Sequence, residues 1–583
     1  MNRRKFLELT AMGAAAAGTG RRIWASPPHA QSADGGDGRV SSTRAQLTLD
    51  RVLHGKAPEF TQDFLLADLK PVAVRRFTEY SGDLSGRYIG AMATVARING
   101  WDPKGAQALQ LDRLVNSALA LQKPEGYFGA GFDAGKPGDN DMALLWGNGR
   151  LLVGLLEYYS WKPRPEVLIA AGRLGDFLVR IGPMMLSAEM REAFGAQHFA
   201  SSYVCWMQQT EGLALLYRAT KDERYRKLAE QTAAVIERRP SDHVHGYLTS
   251  LRGVMDLYAE TGDVNLLKQC TTAWGAITAS KDALITGGVP EGWSPNNHRT
   301  EGCAECDWVR LNLALWHATG EHKYAALAER AMFNELAFNQ YETGDFGHRV
   351  YTETGFPAAG AVRAWWCCTL HGLRTFPAMA QSAFRAQQDR ILLDFPMDGF
   401  LQEPEFAASV ESRMEKEGVV RVRILRAPER ALTFSIRKPE WADEVNAMLP
   451  GQASLEQVVP GYLSAERVWR AGEQFDVSYK MKLRSEESAG RASYWYGPWL
   501  LGAPASVNPA YFNELTTQNR LLAAAAGPPP TSPSTFSVPV ASAAFRFVPA
   551  EFPDQPQIVQ LRALAEQTGQ PTTSWELRLL TKS

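Results

Sequence analysis

The first two thirds of the chain carry the hydrophobic spacing of helices. From about residue 60 to residue 385, apolar residues recur three to four positions apart, and turn signals separate the runs. Three segments resemble one another: Leu216 to Tyr225, Leu257 to Asp263 and Leu315 to Tyr324. Each predicts a helix, a short turn and a second helix.

Helical hairpins that cannot bury their apolar faces alone stack on one another or close into a ring. The spacing between the three segments is irregular, which does not suit an open solenoid. We therefore predict a closed (α/α)6 barrel over residues 45–385, with connecting loops around its mouth.

The last third of the chain changes to the alternation of half-buried strands. Residues 419–425, 432–437 and 475–481 alternate apolar and polar side chains. They predict one or two β-sandwich domains over residues 386–583. Within this region, residues 523–539 are rich in Ala, Pro and Ser and predict a linker or a long loop.

The N-terminus has the order of features found in an export signal. Arg3 and Arg4 precede Phe6 and Leu7, and an Ala/Gly-rich apolar stretch follows. This order predicts a twin-arginine signal over residues 1–30 and a periplasmic or secreted protein. No later stretch approaches the ~20 continuous apolar residues of a membrane span, so we expect none.

Composition narrows the class of partner. The chain has 62 Lys and Arg against 63 Asp and Glu, and a net charge of -1. This balance gives no electrostatic reason to expect nucleic acid or an anionic membrane as a partner. The 16 tryptophans and 18 tyrosines include enough rings for sugar-binding platforms, although most are expected in the core. We expect a glycan or oligosaccharide substrate, and the sequence leaves open whether the protein is a homodimer.

Four of the six cysteines fall in two tight groups. Cys303 and Cys306 follow Glu301 closely, and Cys367 and Cys368 are adjacent; leaving Cys306 aside, these residues offer three thiolates and one carboxylate. Zinc takes four such ligands in a tetrahedron, and a thiolate held there is deprotonated. We therefore consider zinc the candidate cofactor.

Other interpretations of the cysteines stay open at this point. The adjacent pair could form a vicinal disulfide, or only one of the two could be functional. Cys306 is a competing ligand, since it lies on the same face as Cys303 if a helix begins there. Cys205 and Cys270 are expected in the core, because cysteine is among the most buried residue types.

A carboxylate near the cysteines adds a chemical possibility. Glu291 lies ten residues before Glu301. A thiolate and an acid are the two groups needed to cut a glycosidic bond with retention. Folding in the cytoplasm before export would let the thiols bind metal before they meet an oxidising compartment.

Several motifs occur together and in order. In the helical half these are Thr286 to Glu291, Thr300 to Cys303, Glu329 to Asn334 and the Cys367-Cys368 pair; in the β half they are residues 436–441, 461–462, 467–473 and 496–498. Together they resemble glycoside hydrolase family 127, the β-L-arabinofuranosidase-like family, over roughly residues 60 to 505.

This resemblance implies a helical-barrel catalytic domain followed by β-sandwiches. It implies that Glu301, Cys303, Cys367 and Cys368 bind zinc and that Cys367 is the nucleophile. Glu291 would then be the general acid and base, a role in which its pKa would have to be raised toward neutrality by burial. The implied substrates are L-arabinofuranosides or related sugars of plant or microbial glycans.

The chain departs from the family pattern at two places. Gly149-Arg150 stands where the family usually has Gly-His, and His371 lies where the cysteine pair is commonly followed by Pro-Pro-Asn. Arg150 could contact an acidic sugar, or it could be a misaligned surface arginine. His243 and His245 fall where the family has a substrate-contacting histidine, and we take both as candidates.

Two alternative functions follow from these observations. A uronate-type hydrolase or lyase on the same barrel would use Arg150 but leave the thiolates without a role. A non-catalytic carbohydrate-binding protein would use zinc only to hold two loops together.

Overall fold

The structure is a computed structural model of the chain, and it describes residues 43–70, 75–195, 201–280, 282–293, 298–358, 363–387, 389–452, 455–513, 520–525, 542–548, 557–566 and 573–580. The predicted export signal, residues 1–30, lies outside the described residues. So does most of the predicted linker; its first three residues, 523–525, belong to a strand.

The chain is helical up to residue 382, apart from a few short strands. The helices are α1 (Thr43–His54), α2 (Gln62–Leu66), α3 (Asp83–Ile98), α4 (Ala106–Leu119), α5 (Asp139–Trp161), α6 (Pro165–Met185), α7 (Ala188–Ala193), α8 (Val204–Met207), α9 (Gln209–Thr220), α10 (Glu223–Ala233), α11 (Val244–Thr261), α12 (Val264–Thr278), α13 (Gly302–Thr319), α14 (His322–Ala331), α15 (Ala337–Asn339), α16 (Trp366–Ser382), α17 (Met414–Glu417) and α18 (Pro509–Asn513). A π-helical turn, Met332–Leu336, joins α14 to α15.

Six helices close into a ring. Helix α3 packs on α5, α5 on α9, α9 on α11, α11 on α13, α13 on α16, and α16 returns to α3. Each of these helices is backed by an outer one: α4 on α3, α6 on α5, α10 on α9, α12 on α11, α14 on α13 and α1 on α16. The predicted (α/α)6 barrel is confirmed. Because an outer helix runs back between successive inner helices, the inner helices begin at the same rim.

The three resembling segments are hairpins of an inner and an outer helix. Gly262 and Gly320 end the inner helices with φ of 71° and 67°, a backbone region that favours glycine. Asp222 and Asp263 then cap the next outer helices, and each carboxylate accepts a backbone hydrogen bond. None of the described helices is both long enough and apolar enough to cross a bilayer.

The remaining elements are mostly strands. They are β1 (Arg299–Glu301), β2 (Phe346–Val350), β3 (Gly355–Phe356), β4 (Arg363–Trp365), β5 (Phe384–Gln387), β6 (Arg390–Leu393), β7 (Gly399–Gln402), β8 (Ala407–Arg413), β9 (Val419–Arg426), β10 (Ala431–Arg437), β11 (Ala442–Ala447), β12 (Glu456–Val459), β13 (Tyr462–Val468), β14 (Gln474–Met481), β15 (Leu483–Ser488), β16 (Arg491–Tyr496), β17 (Trp499–Pro504), β18 (Arg520–Ala525), β19 (Ser542–Val548), β20 (Gln557–Ala563), β21 (Trp575–Glu576) and β22 (Leu579–Leu580). The three strands predicted from alternation correspond to β9, β10 and β14.

Two five-stranded sheets form a β-sandwich after the barrel. Their strand orders are β12-β13-β10-β6-β5 and β11-β14-β9-β8-β7. Phe434 of the first sheet and Phe475 of the second meet between them, with ring centroids 5.3 Å apart. A further sheet runs β15-β16-β17-β20-β19-β18, and β21 joins it to β3 of the barrel region.

A buried ion pair joins the sandwich to the barrel. Arg437, at the end of β10, donates to Glu329 of α14 at 2.6 Å, and Trp441 donates to the same carboxylate at 2.9 Å. Both oxygens of Glu329 therefore have partners although the side chain is buried.

Candidate active site

A small sheet brings the two cysteine segments together. Strand β2 pairs with β1 on one side and with β4 on the other, so that Glu301 lies opposite His348. Strand β1 leads into α13 and strand β4 leads into α16. The sheet thus sets the first turns of both helices side by side, although some 60 residues separate them in the sequence.

The cysteines lie at helix N-termini. Cys303 is the second residue of α13, and Cys367 and Cys368 are the second and third residues of α16. The N-terminal end of a helix carries a partial positive charge, which stabilises a thiolate.

The four predicted ligands converge. Glu301, Cys303, Cys367 and Cys368 present one atom each within 4.8 Å of one another. The sulfurs of Cys303 and Cys368 are 3.5 Å apart, those of Cys367 and Cys368 are 3.9 Å apart, and Cys368 Sγ is 3.7 Å from Glu301 Oε1.

These distances fit a zinc site. Sulfurs at two corners of a tetrahedron, with a Zn–S bond of ~2.3 Å, lie about 3.8 Å apart. Three soft sulfurs and one carboxylate are also a donor set that zinc prefers. The residues present therefore fit the ion that the sequence suggests.

The other interpretations of the cysteines can now be decided. The sulfurs of Cys367 and Cys368 are too far apart for a disulfide, which needs ~2.05 Å. Cys306 is buried and lies outside the ligand group, so its role as a competing ligand is wrong. Cys205 and Cys270 are buried, and their place in the core is confirmed.

One thiol differs from its neighbours in its pKa. Burial raises the pKa of Cys303, Cys368 and Glu301 well above their ordinary values. The pKa of Cys367 is lowered well below its ordinary value by hydrogen bonds from Cys303 and Cys368, and next by the positive charge of Arg87. The neighbours therefore favour the anionic form at the sulfur implied as the nucleophile, which is also the least buried of the three.

Glu291 lies beside this cluster as a carboxylate. Its side chain is 5% exposed, Arg299 donates to Oε2 at 2.6 Å, and His348 Nε2 lies 3.4 Å from Oε1. Burial alone would raise the pKa of Glu291, but His348, His243 and Arg299 together lower it to about 2. The charges around Glu291 therefore oppose the raised pKa that an acid would require.

The two candidate histidines have different surroundings. His243 Nε2 lies 3.3 Å from Glu301, and the side chains of His243, Glu291 and Glu301 present atoms within 4.8 Å of one another. His245 is 1% exposed and points into a buried network. His243 thus borders the cluster, whereas His245 supports it from behind.

Asp307 is the centre of that buried network. It is held by His245 Nδ1 at 2.5 Å, His371 Nε2 at 2.9 Å, Thr249 at 2.7 Å and Arg252 at 2.6 Å. Burial would raise the pKa of Asp307, but its cationic and hydrogen-bonding neighbours lower it well below its ordinary value. Asp307 is therefore ionised and fully paired.

The network lies one helical turn behind the cysteines. Asp307 follows Cys303 by four residues on α13, and His371 follows Cys367 by four residues on α16. Residues four apart on a helix share a face. The two helices that carry the thiols therefore also carry the network.

Arg150 is part of the same network. It is 4% exposed, and its guanidinium lies 3.6 Å from Glu211, 3.3 Å from His245 and 3.1 Å from Thr249. The interpretation of Arg150 as a misaligned surface arginine is therefore wrong, because the side chain is buried. No described contact directs it toward the cluster of Glu291.

Comparison with known families now decides the family. Residues 43–381 match the model of the β-L-arabinofuranosidase GH127 catalytic domain, which is more than half of the chain, and residues 398–481 match the GH127 middle domain. The chain belongs to the GH127 family. This GH127 protein is accordingly a glycoside hydrolase.

Solved structures agree with this GH127 fold. A GH127 β-L-arabinofuranosidase from Geobacillus stearothermophilus T6 has 16% identity and a TM-score of 0.69, over 94% of this chain and all of that one. A second GH127 β-arabinofuranosidase has 18% identity and a TM-score of 0.67, over 92% of this chain and 94% of that one. No curated protein sequence matches the GH127 protein.

Several site residues of the GH127 protein were missed in the sequence. Arg299 and His348 depend on strand pairing that short segments do not reveal. Asp307 and His371 follow the cysteines by four residues, a spacing that could have indicated them. Arg87 lies in α3 among largely apolar residues that are buried with it, and an arginine on such a buried face was the available signal.

Proposed function

We propose that the protein is a zinc-dependent retaining glycosidase that acts on L-arabinofuranosides or a related sugar, with Cys367 as nucleophile and Glu291 as acid and base. The observation that carries this proposal is the convergence of three sulfurs and Glu301, at tetrahedral spacing, next to the Glu291 carboxylate. A zinc site that only held two loops together would not need a second carboxylate, Glu291, beside it with its own ion pair to Arg299.

The residues would act in two steps. Cys367 Sγ would attack the anomeric carbon while the leaving oxygen takes a proton from Glu291, which yields a thioglycosyl-enzyme. A water would then lose its proton to Glu291 and attack the same carbon, and the carbon–sulfur bond would break. When bound by Glu301, Cys303, Cys367 and Cys368, zinc would keep these sulfurs deprotonated and oriented.

The groups around Glu291 favour its ionised form, which suits the second of the two steps directly. An ionised Glu291 is ready to accept the proton of water in the second step. The first step needs the carboxyl in its protonated form. Arg299 is the partner that an incoming sugar can displace most easily, because its side chain is 37% exposed.

Glu291→Gln tests the acid and base role. With an aryl β-L-arabinofuranoside that has a poor leaving group, we expect kcat/KM to fall by about 10²–10⁴-fold. With an activated aryl group, which leaves without a proton, the loss in the first step should be much smaller. Bound zinc, measured by elemental analysis, should equal that of the wild type.

The outcomes separate the candidate functions. If neither the wild type nor the variant hydrolyses any member of a panel of aryl glycosides, a binding protein is favoured. Preferred cleavage of unsaturated uronides would favour the uronate-type enzyme. No described contact favours that reading, because Arg150 pairs with Glu211 and His245.

We further infer that the protein is exported by the twin-arginine route. Replacing Arg3 and Arg4 together by lysine is expected to leave the full-length protein in the cytoplasm, because that pathway reads the arginine pair. Cell fractionation and immunoblotting check this outcome. Replacing Lys5 by arginine is the matched control and should leave export unchanged.

A further inference from the structure

Arg87 connects the buried network to the thiols. Its side chain is 5% exposed, and Nε donates to Asp83 at 2.8 Å. Nη1 lies 3.8 Å from Cys303 Sγ and 3.3 Å from His371 Nδ1, and Nη2 lies 2.9 Å from His245 Nε2. One guanidinium therefore touches a thiol, two imidazoles and a carboxylate.

These contacts fix the proton positions of both histidines. A guanidinium only donates hydrogen bonds, so His371 Nδ1 and His245 Nε2 must accept them. The protons then lie on His371 Nε2 and His245 Nδ1, and both of these atoms face Asp307. A single arrangement satisfies every bond, so Asp307 orients both rings and the rings orient Arg87.

The net charge of the proposed zinc cluster favours a cation at the position of Arg87. Three thiolates and a carboxylate around a divalent cation leave a net charge of -2. A buried charge is costly unless an opposite charge is close to it. The guanidinium of Arg87 is a cation next to Cys303. It cannot rotate away from Cys303 without breaking its hydrogen bonds to His371 and His245.

The two departures from the family pattern meet in this network. His371 bridges Arg87 and Asp307, and Arg150 lies 3.3 Å from the same His245 nitrogen that Arg87 contacts. His371 lies on α16 and Arg150 lies on α5. His371 is one of the two imidazoles that hold Arg87, and Arg150 contacts the other, His245. The two departures are therefore linked through the residues that hold Arg87.

His245, Asp307 and His371 do not make a second metal site. His245, Asp307 and His371 present atoms within 4.8 Å of one another. Both ring nitrogens that face Asp307 already donate to it, however, and Arg87 and Arg252 contact the same groups. A further cation would meet two arginines there.

We propose that Arg87 is a positioning residue that holds Cys303 in the thiolate cluster, and that Asp307 fixes Arg87 through His245 and His371. This inference rests on the proposed zinc site. It adds to that site a set of supporting residues behind the ligands, in which His371 and Arg150 help to hold Arg87 in position.

Two variants test the proposal through metal binding alone. Arg87→Lys keeps the positive charge but loses the planar guanidinium, which contacts Cys303 and both imidazoles at once. His371→Asn, a smaller change, can meet Asp307 or Arg87 but not both. Arg437→Lys is the matched control, since Arg437 is also buried and paired with a carboxylate but lies at the joint with the sandwich.

The measurements are zinc affinity, by competition with a chelator, and the visible spectrum of the full-length protein loaded with Co²⁺. Loss of an outer-shell partner typically weakens metal affinity by about 10–100-fold. We expect Arg87→Lys to fall in that range, His371→Asn to lose less, and both to alter the sulfur-to-cobalt absorption. Arg437→Lys should match the wild type in both measurements, even if its melting temperature falls.

The outcomes distinguish this inference from the proposed function. If the wild type binds zinc and both variants keep its affinity and its cobalt spectrum, the positioning role is overturned and the zinc site stands. If the wild type binds neither metal, the proposed function fails, and the inference fails with it.

Discussion

Replacement of Cys367 by serine is expected to lower kcat/KM on an aryl β-L-arabinofuranoside by about 10⁴-fold or more, the usual scale for the loss of a nucleophile. A serine hydroxyl is a much weaker acid than a thiol and supplies a much weaker nucleophile near neutral pH. Cys367 is the thiol whose pKa is lowered by its hydrogen-bonding neighbours and by Arg87. The measurement is steady-state hydrolysis, with zinc content determined on the same sample.

Cys306→Ser is the matched control for this variant. Cys306 lies on α13 with Cys303 but is buried outside the ligand group. It should keep both zinc and activity, with a modest loss of stability.

A covalent adduct gives an independent check on Cys367. In Glu291→Gln, an activated aryl glycoside should still complete the first step, whereas the second step lacks its base. Mass spectrometry of the digested protein should then find one sugar on the peptide that contains Cys367. A sugar on any other residue, or full activity of Cys367→Ser, would refute the assigned nucleophile.

Replacement of Cys303 by serine is expected to have the largest effect on metal content and stability. It removes one of the three proposed sulfur ligands and leaves Arg87 without its sulfur contact. A ligand present at ~1,000 times its Kd stabilises the native state by about 4 kcal/mol. Loss of zinc should therefore lower the melting temperature of the barrel by roughly 5–10 °C.

The checks for Cys303→Ser are elemental analysis and thermal unfolding with and without a chelator. The chelator should lower the melting temperature of the wild type toward that of Cys303→Ser and should have little further effect on the variant. Cys306→Ser should respond to the chelator as the wild type does. An unchanged zinc content in Cys303→Ser would contradict the ligand assignment.

The fold could be predicted well because its signals are local. The hairpins around Gly262 and Gly320 combine helical periodicity with a glycine at the turn, and both features lie within a few residues. The alternation of β9, β10 and β14 is equally local. Ring closure was only inferred, because contact between α16 and α3 joins distant segments that no short pattern relates.

The site could be predicted in part. Motifs in the sequence indicated the four predicted ligands and Glu291, and the structure places these side chains close together. The pKa of Glu291 could not be foreseen, since it depends on Arg299 and on His348 from another strand. Arg150 was expected either near the sugar or on the surface, and its pairing with Glu211 across two inner helices has no sequence signal.

The first described helix is anchored by residues that lie far along the chain. Arg44 of α1 donates to the carbonyl of Ala565 at 2.6 Å, 521 positions further along the chain, and to that of Ala337 at 3.0 Å. Helix α1 therefore cannot dock fully until residue 565 has been synthesised. Docking of α1 is accordingly a late step in the folding of the barrel. A chain that stops after the barrel would lack the Ala565 anchor, and α1 is where we expect such a chain to be most open to proteases.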